Sequence, residues 1–136
     1  MFSRPACVLL LALALVSGCN SQEKDRQAVT RLIETRSKAL NTRNTAQYLS
    51  AVSTGYSDKG KNFLHLKDSI SNNFKTFENL SYQSGEHTIS IAGNHAEASG
   101  TYRMRVTVRG REIVLDGTEH LKLAKEPDGW KIIAGL

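Results

Sequence analysis

The fold is decided by residues 96–123, which read AEASGTYRMRVTVRGREIVLDGTEHLKL. Apolar side chains in the first half of this stretch occupy every second position, at Tyr102, Met104, Val106 and Val108. A period of two is typical of a β-strand with one buried face. The Arg-Gly-Arg at 109–111 interrupts the alternation, and a glycine between two strand patterns favours a tight turn. The stretch therefore predicts an antiparallel hairpin.

The register of this hairpin follows from its charges. With Gly110-Arg111 as a two-residue turn, the opposed pairs are Arg109 and Glu112, Arg105 and Asp116, Val108 and Ile113, Val106 and Leu115, and Tyr102 and Glu119. Opposite charges then pair on one face of the sheet and apolar side chains pair on the other, as cross-strand neighbours prefer.

The alternation continues on both sides of the hairpin. A turn at Gly93-Asn94 pairs Ile91 with Ala96, Ile89 with Ala98 and His87 with Gly100. A second turn at Pro127-Asp128-Gly129 leads into a last strand that places Trp130 and Ile132 on the face of Leu121 and Leu123. The sequence therefore predicts a four-stranded antiparallel meander with one apolar face.

The first half of the chain has a helical period instead. Apolar residues recur every three or four positions in 22–40, 45–52 and 62–77, which predicts three amphipathic helices. Arg36 falls within the first apolar stripe, where its aliphatic stem can pack. Helices that precede a sheet, rather than alternate with its strands, predict an α+β fold in which the helices cover the apolar face.

This order of elements resembles the nuclear transport factor 2-like superfamily, including its SnoaL-like members with a cystatin-like cone. The final strand, Asp128-Gly129-Trp130-Lys131-Ile132-Ile133, and the segment Asn41–Tyr56 are similar to the corresponding parts of that family. The resemblance implies N-terminal helices packed on a strongly bent antiparallel sheet, with a conical pocket between them. Because the fold hosts isomerases, dehydratases, transport adaptors and domains without known ligands, it does not imply one activity.

A candidate pocket site follows from the polar residues that share the apolar face. His87, Tyr102 and Glu119 fall on this face, while Met104 and Trp130 contribute to its apolar wall. Burial disfavours an ionised carboxylate, so Glu119 could act as an acid or base or orient a ligand. In the plainer alternative, His87 lies at a frayed strand end, Tyr102 belongs to the core, and a one-residue slip turns Glu119 outward.

The N-terminus predicts export. Arg4 and the apolar run 6–16 are typical of a signal peptide, and eleven residues are too few to span a bilayer. Val16-Ser17-Gly18-Cys19 resembles a bacterial lipobox, which implies cleavage after residue 18 and lipid attachment at Cys19. The alternative is an ordinary signal peptide with a chance thiol. We expect a short tether at 19–25 and a single domain at 26–136.

The location and partners are expectations of the same kind. By resemblance, Asn20 rather than an aspartate after Cys19 implies the outer membrane, facing the periplasm. The 17 basic and 13 acidic side chains left after signal removal are scattered, so we expect no nucleic-acid partner. The outer sheet face carries Arg103, Arg105, Arg109, Glu112 and Asp116, which suits solvent or a homodimer contact.

The expected activity is binding of a small apolar ligand, or of a partner protein, in the conical pocket. The alternative is a small isomerase or dehydratase that uses Glu119 or His87 as general base. The four histidines lack metal-binding spacing, so no metal and no cofactor are expected, and no catalytic set is complete.

Overall fold

The computed structural model describes residues 17–136. Three helices, α1 (Ser17–Thr42), α2 (Thr45–Ser50) and α3 (Phe63–Thr76), precede the main sheet. Between α2 and α3 lies a small hairpin of β1 (Ser57–Asp58) and β2 (Lys61–Asn62). The main sheet contains β3 (Asn79–Ala92), β4 (His95–Val108), β5 (Arg111–Glu126) and β6 (Gly129–Ala134), antiparallel and in that order. The predicted α+β class is confirmed.

Helix α1 is longer than its apolar stripe predicts. It begins at Ser17 rather than near Gln22, so the residues expected to form a tether are helical. Asp25 attaches this part of the helix to the sheet, since its carboxylate accepts hydrogen bonds from Lys125 (2.9 Å) and from the indole of Trp130 (3.1 Å). The predicted signal-peptide run 6–16 lies outside the described residues. No helix described in the chain is long and apolar enough to cross a membrane.

The short helices begin where asparagine side chains cap them. The side chain of Asn44 accepts a hydrogen bond from the backbone N–H of Gln47 at the start of α2. Asn62 and His65 form a reciprocal capping box at the start of α3. Such caps satisfy N–H groups that have no partner within the helix.

The hairpin β4–β5 corrects the predicted register. Its turn residues are Arg109 and Gly110, with φ of 51° and 73°, and Val108 pairs with Arg111. Positive φ at both central residues defines a type I′ turn, which favours glycine at the second position, so the turn starts one residue earlier than predicted. The pairing moves by two residues as a result. Arg103 faces Asp116, Val106 faces Ile113, Tyr102 faces Gly117 and Glu119 faces Gly100.

A shift of two residues leaves every side chain on its predicted face. The expected opposition of Tyr102 and Glu119 is therefore wrong, but both side chains remain on the concave face of the sheet. The register across the Gly93-Asn94 turn is confirmed, because His87 pairs with Gly100, Ile89 with Ala98 and Ile91 with Ala96.

The core lies between α1 and the adjoining end of the sheet. Its least exposed members include Val29 from α1, Leu121 and Leu123 from β5, and Ile132 from β6. The free edge of β3 is also held by α1, since the Asn41 amide bonds both the N–H and the C=O of Tyr82 and the Arg26 guanidinium donates to the C=O of Ile89. The sheet extends well beyond this contact, and the remaining concave face forms a cavity.

Candidate functional site: a polar cluster at the floor of a conical cavity

The cavity lies between the concave sheet face, α3, the β1–β2 hairpin and the C-terminal residues. It has a volume of about 740 Å³ and is partly open to solvent. Its apolar lining consists of Leu40, Leu66, Ile70, Met104, Ala134 and Leu136, with the rings of Tyr48, Tyr82 and Tyr102. This volume falls within the usual range for small-molecule pockets.

Glu119 anchors a hydrogen-bonded cluster at the floor. Its Oε2 accepts from Arg36 Nη2 at 2.7 Å, and its Oε1 accepts from Arg36 Nη1 at 3.2 Å. The Tyr82 hydroxyl accepts from Arg36 at 3.3 Å and donates to Glu119 Oε1 at 3.4 Å. Only 7% of each side chain in the Arg36–Glu119 pair is exposed. This is a two-pronged ion pair in a desolvated position.

His87 completes the cluster from the other side of Glu119. Its Nε2 lies 2.8 Å from Glu119 Oε1, and its Nδ1 lies 3.0 Å from the carbonyl oxygen of Gly85. A carbonyl and a carboxylate can only accept, so the doubly protonated imidazolium satisfies both contacts together. In that state the Glu119 carboxylate lies between two cations.

A glycine makes the contact between His87 and Glu119 geometrically feasible. His87 (β3), Gly100 (β4) and Glu119 (β5) lie side by side on three adjacent strands, so the imidazole must cross β4 to reach the carboxylate. A Cβ at Gly100 would lie 2.7 Å from the ring carbon Cδ2 of His87, which is too close for any side chain. Tyr102 uses Gly117 in the same way, since its ring lies over that residue.

The electrostatics differ from what burial alone predicts. Burial by itself raises the pKa of Glu119, but the hydrogen bonds and charges of Arg36 and then of His87 outweigh it and hold that pKa below its ordinary value. Desolvation alone therefore does not decide the pKa of Glu119, because the hydrogen bonds and charges of its partners compensate for the lost water. Burial raises the pKa of Tyr82 to about 12 and that of Tyr48 in the same direction.

The sequence pattern places Arg36 on α1 but does not identify it as part of the polar cluster. It lies on the buried stripe of α1, with 5% of its surface exposed. A buried guanidinium needs a charged or strongly polar partner. A single arginine in an apolar stripe therefore indicates that a buried polar partner lies opposite it. Its Nε atom is buried and has no hydrogen-bond partner within the described part of the chain. The sequence does not say which carboxylate lies opposite, because the two partners are 83 residues apart.

The five residues expected to bind a ligand separate into groups. Glu119, Tyr102 and Met104 line the cavity. His87 does not line it but forms a hydrogen bond with Glu119. The Tyr102 ring stacks on that of Tyr82, with centroids 5.6 Å apart. Their assignment as ligand contacts remains a prediction.

Trp130 lies in the core, outside the cavity lining. It is 5% exposed, donates to Asp25 at the start of the fold and does not line the cavity, so its placement in the cavity wall is corrected. A strand residue facing α1 belongs to the core, and its alternation alone does not distinguish core from pocket. Within residues 17–136, no three histidine, cysteine, aspartate or glutamate side chains are grouped so that they could hold a metal ion.

Solved structures are similar to this chain over most of its length. A nuclear transport factor 2-like protein with a cystatin-like fold, from Novosphingobium aromaticivorans, has a TM-score of 0.77 at 13% identity and covers 91% of this chain and 87% of its own. The chain has the nuclear transport factor 2-like fold. A nuclear transport factor 2-like superfamily protein from Salmonella enterica has a TM-score of 0.74 at 18% identity, covering 82% of this chain and 88% of its own.

The same fold occurs in a protein from Novosphingobium aromaticivorans with a proposed scytalone dehydratase activity. Its TM-score is 0.76 at 12% identity, and the match covers 86% of this chain and 85% of that protein. No protein-family model matches this chain, and no curated protein sequence does. Identities this low establish the nuclear transport factor 2-like fold alone, so function has to be argued from the cavity.

Proposed function

We propose that this protein is a lipid-anchored protein of the bacterial cell envelope that binds a small, largely apolar molecule in its conical cavity. The observation that carries the binding role is that the Glu119 carboxylate is hydrogen-bonded by other residues of the protein. Its two oxygens accept from Arg36, His87 and Tyr82, so this carboxylate is already hydrogen-bonded within the protein. A cavity whose polar cluster is hydrogen-bonded internally and whose walls present apolar side chains is suited to binding a small apolar molecule.

The same cluster is a poor general base. Efficient proton abstraction requires a pKa near the working pH and a lone pair directed at the substrate. The pKa of Glu119 is lowered, and its oxygens are already hydrogen-bonded within the protein. We therefore favour binding over an isomerase or dehydratase activity. The enzyme alternative rests on the short His87–Glu119 contact and on a fold shared with proteins of proposed dehydratase activity.

The binding role is tested on the chain without its lipid. All core residues identified lie between Val29 and Ile132, so residues 19–136 with Cys19→Ser, here called the lipid-free chain, contain the whole core. After gentle purification from the native host, native mass spectrometry should detect a co-purified small molecule. Ser69→Trp, which places a large side chain at a cavity-lining position, should remove that molecule.

Asn72→Trp is the matched control for this experiment. It adds the same side chain to α3 at an exposed position that does not line the cavity. If Asn72→Trp lost the molecule as fully as Ser69→Trp, or if no molecule were found and no small apolar probe bound, ligand binding in the cavity would be rejected. A protein-binding role would then be pursued by crosslinking in the envelope.

The lipid anchor at Cys19 is a separate part of the proposal. Its support is the lipobox-like Val16-Ser17-Gly18-Cys19 after an apolar run. Several acyl chains anchor a protein stably, whereas one chain does so only marginally. Cys19→Ser should abolish incorporation of a labelled fatty acid and release the protein from the membrane fraction. Fractionation of inner and outer membranes tests the location that Asn20 implies.

A homodimer through the outer sheet face is the remaining partner proposal. On that face Arg103 pairs with Asp116 at 2.7 Å and Arg105 with Glu112 at 3.5 Å within one chain. A dimer through this face would have to retain or exchange these ion pairs. Light scattering of the lipid-free chain gives the oligomeric state directly, and Arg103→Glu should dissociate a dimer that uses the face.

A further inference from the structure

Three lysines surround the cavity without ionic partners. Lys59, Lys61 and Lys122 all line it, and none forms an ion pair or a side-chain hydrogen bond within residues 17–136. They come from two distant parts of the chain, the β1–β2 hairpin and strand β5. The fold, rather than a local sequence run, therefore gathers their charges.

The hairpin presents its two lysines from a fixed backbone. Lys59 and Gly60 are its turn residues, with φ of 48° and 77°, and Asp58 pairs with Lys61 across the turn. A non-glycine residue with positive φ is uncommon and marks a tightly defined turn. The hairpin therefore holds two ammonium groups beside the cavity with little freedom in the main chain.

The carboxylates of the lining offset the charge of these lysines only in part. Asp58 Oδ2 accepts from the backbone N–H of Gly135 at 3.0 Å, and Glu119 is paired with Arg36 at the floor. The charged lining side chains other than histidine are the cations Arg36, Lys59, Lys61 and Lys122 and the carboxylates Asp58 and Glu119. With Arg36 and Glu119 paired, three lysines remain against Asp58, so these side chains carry an excess of two positive charges.

Apolar side chains belong to the same cavity lining as these lysines. Leu66 and Ile70 from α3 are buried beneath the cavity, and Tyr102 and Met104 line its sheet wall. One molecule in the cavity would contact an apolar surface and unpaired ammonium groups together. A neutral apolar molecule would use only the first of these, and a small inorganic anion only the second.

We propose that the ligand is an anionic amphiphile, that is, a small molecule with an apolar body and one carboxylate, sulfate, sulfonate or phosphate group. Its body occupies the apolar interior, and its anionic group lies among Lys59, Lys61 and Lys122. This assignment rests on the proposed binding role of the cavity and adds the charge of the ligand to it.

Two fluorescent probes with the same ring system test the charge preference. The probe 8-anilinonaphthalene-1-sulfonate is an anion, and N-phenyl-1-naphthylamine is its neutral counterpart without the sulfonate. We expect the lipid-free chain to bind the anion about tenfold more tightly, the factor that a few exposed charge contacts of ordinary strength supply together. A higher salt concentration should reduce the difference in affinity between the two probes, because salt screens exposed charges.

The decisive variant is Lys59→Gln/Lys61→Gln/Lys122→Gln. It should lower affinity for the anionic probe to that of the neutral probe and leave the neutral probe unchanged. The matched control is Lys24→Gln/Lys38→Gln/Lys67→Gln, which removes the same total charge from exposed positions that do not line the cavity. This control variant should keep most of the preference for the anionic probe over the neutral one.

The outcomes separate the two levels of the proposal. Equal affinity for both probes in the unmodified lipid-free chain, or a preference lost equally in both triple variants, overturns the anionic ligand and leaves a neutral-ligand cavity. Failure of both probes to bind overturns the binding role itself. Ser69→Trp guards against binding at the exposed apolar residues of β5, because only binding in the cavity should weaken with this variant.

Discussion

The two ends of the concave face of β5 share one sequence pattern and have different environments. Leu121 and Leu123 are fully buried, whereas Ile113 and Leu115, on the same face of the same strand, are 46% and 45% exposed. Strand β6 pairs only with residues 122–126, and α1 packs over that end of the sheet. Coverage by other elements, rather than alternation, therefore decides which apolar residues form the core and which stay exposed.

Glu119 lies at the boundary between these two ends. One step toward the core is Leu121, and one step toward the exposed end is Gly117, beneath the ring of Tyr102. A carboxylate at such a boundary loses much of its water and depends on Arg36 and His87. The following predictions test whether the cluster, the core end and the exposed end of β5 contribute to stability as differently as this geometry implies.

Arg36→Leu should have the largest effect on stability. It leaves the buried Glu119 carboxylate without its principal partner, which typically costs about 3–5 kcal/mol when a buried ion pair is broken from one side. Urea denaturation of the lipid-free chain measures the free energy of unfolding. The double variant Arg36→Leu/Glu119→Leu should recover part of the loss. If the single variant were as stable as the parent, the ion pair would not hold the cluster together.

Leu121→Ala should have the next largest effect. The side chain is fully buried in the core cluster, and truncation of such a leucine costs about 2–5 kcal/mol through lost burial and the cavity that remains. The same denaturation experiment applies. The affinity of the folded variant for the neutral probe should stay near that of the parent, since Leu121 does not line the cavity. A large change in probe affinity would mean that core and cavity are not separate.

Gly100→Ala should be destabilising although it adds only a methyl group. The new Cβ would lie 2.6 Å from the carbonyl oxygen of Glu86 and 2.7 Å from His87 Cδ2, so the imidazole must move away from Glu119. Overpacking of this kind costs about 1–3 kcal/mol. The His87 ring resonances in an NMR spectrum should shift as well. Unchanged resonances together with unchanged stability would argue against a tight crossing over β4.

Acid should weaken the cluster in a defined direction. The folded-state pKa of Glu119 is depressed, so its contribution to stability is present above its ordinary value of 4.5 and is lost as pH falls through the folded-state pKa. The difference in unfolding free energy between the parent and Glu119→Gln should therefore shrink as pH is lowered from neutral. Comparison with this variant removes the contributions of Asp25 and Asp116, whose pKa values are also lowered. A difference that stays constant from neutral to strongly acidic pH would contradict a depressed pKa.

Leu115→Ala should have the smallest effect. It removes the same atoms as Leu121→Ala, from the same strand and face, but at a position that is nearly half exposed. The loss should stay below about 1 kcal/mol, since little additional surface becomes exposed. A cost equal to that of Leu121→Ala would indicate that this end of the sheet is covered in solution, for example by a second copy of the chain.

The sequence by itself determined the α+β class, the order of the three helices and the four strands of the meander, and the faces predicted for the strand residues. These properties follow from local periodicity and turn chemistry, which are written in neighbouring residues. Face assignment even survived a misplaced turn, because the error between Gly110-Arg111 and Arg109-Gly110 moved the pairing by two residues and conserved parity.

Only the tertiary structure decided what the face residues do. It paired Arg36 with Glu119 across 83 residues, lowered the pKa of a carboxyl group that burial alone would raise, and placed Trp130 in the core. It also brought Lys59 and Lys61 to the same cavity as Lys122. The physical reason is that desolvation and charge pairing depend on distances between segments far apart in the chain, and no local pattern encodes those distances.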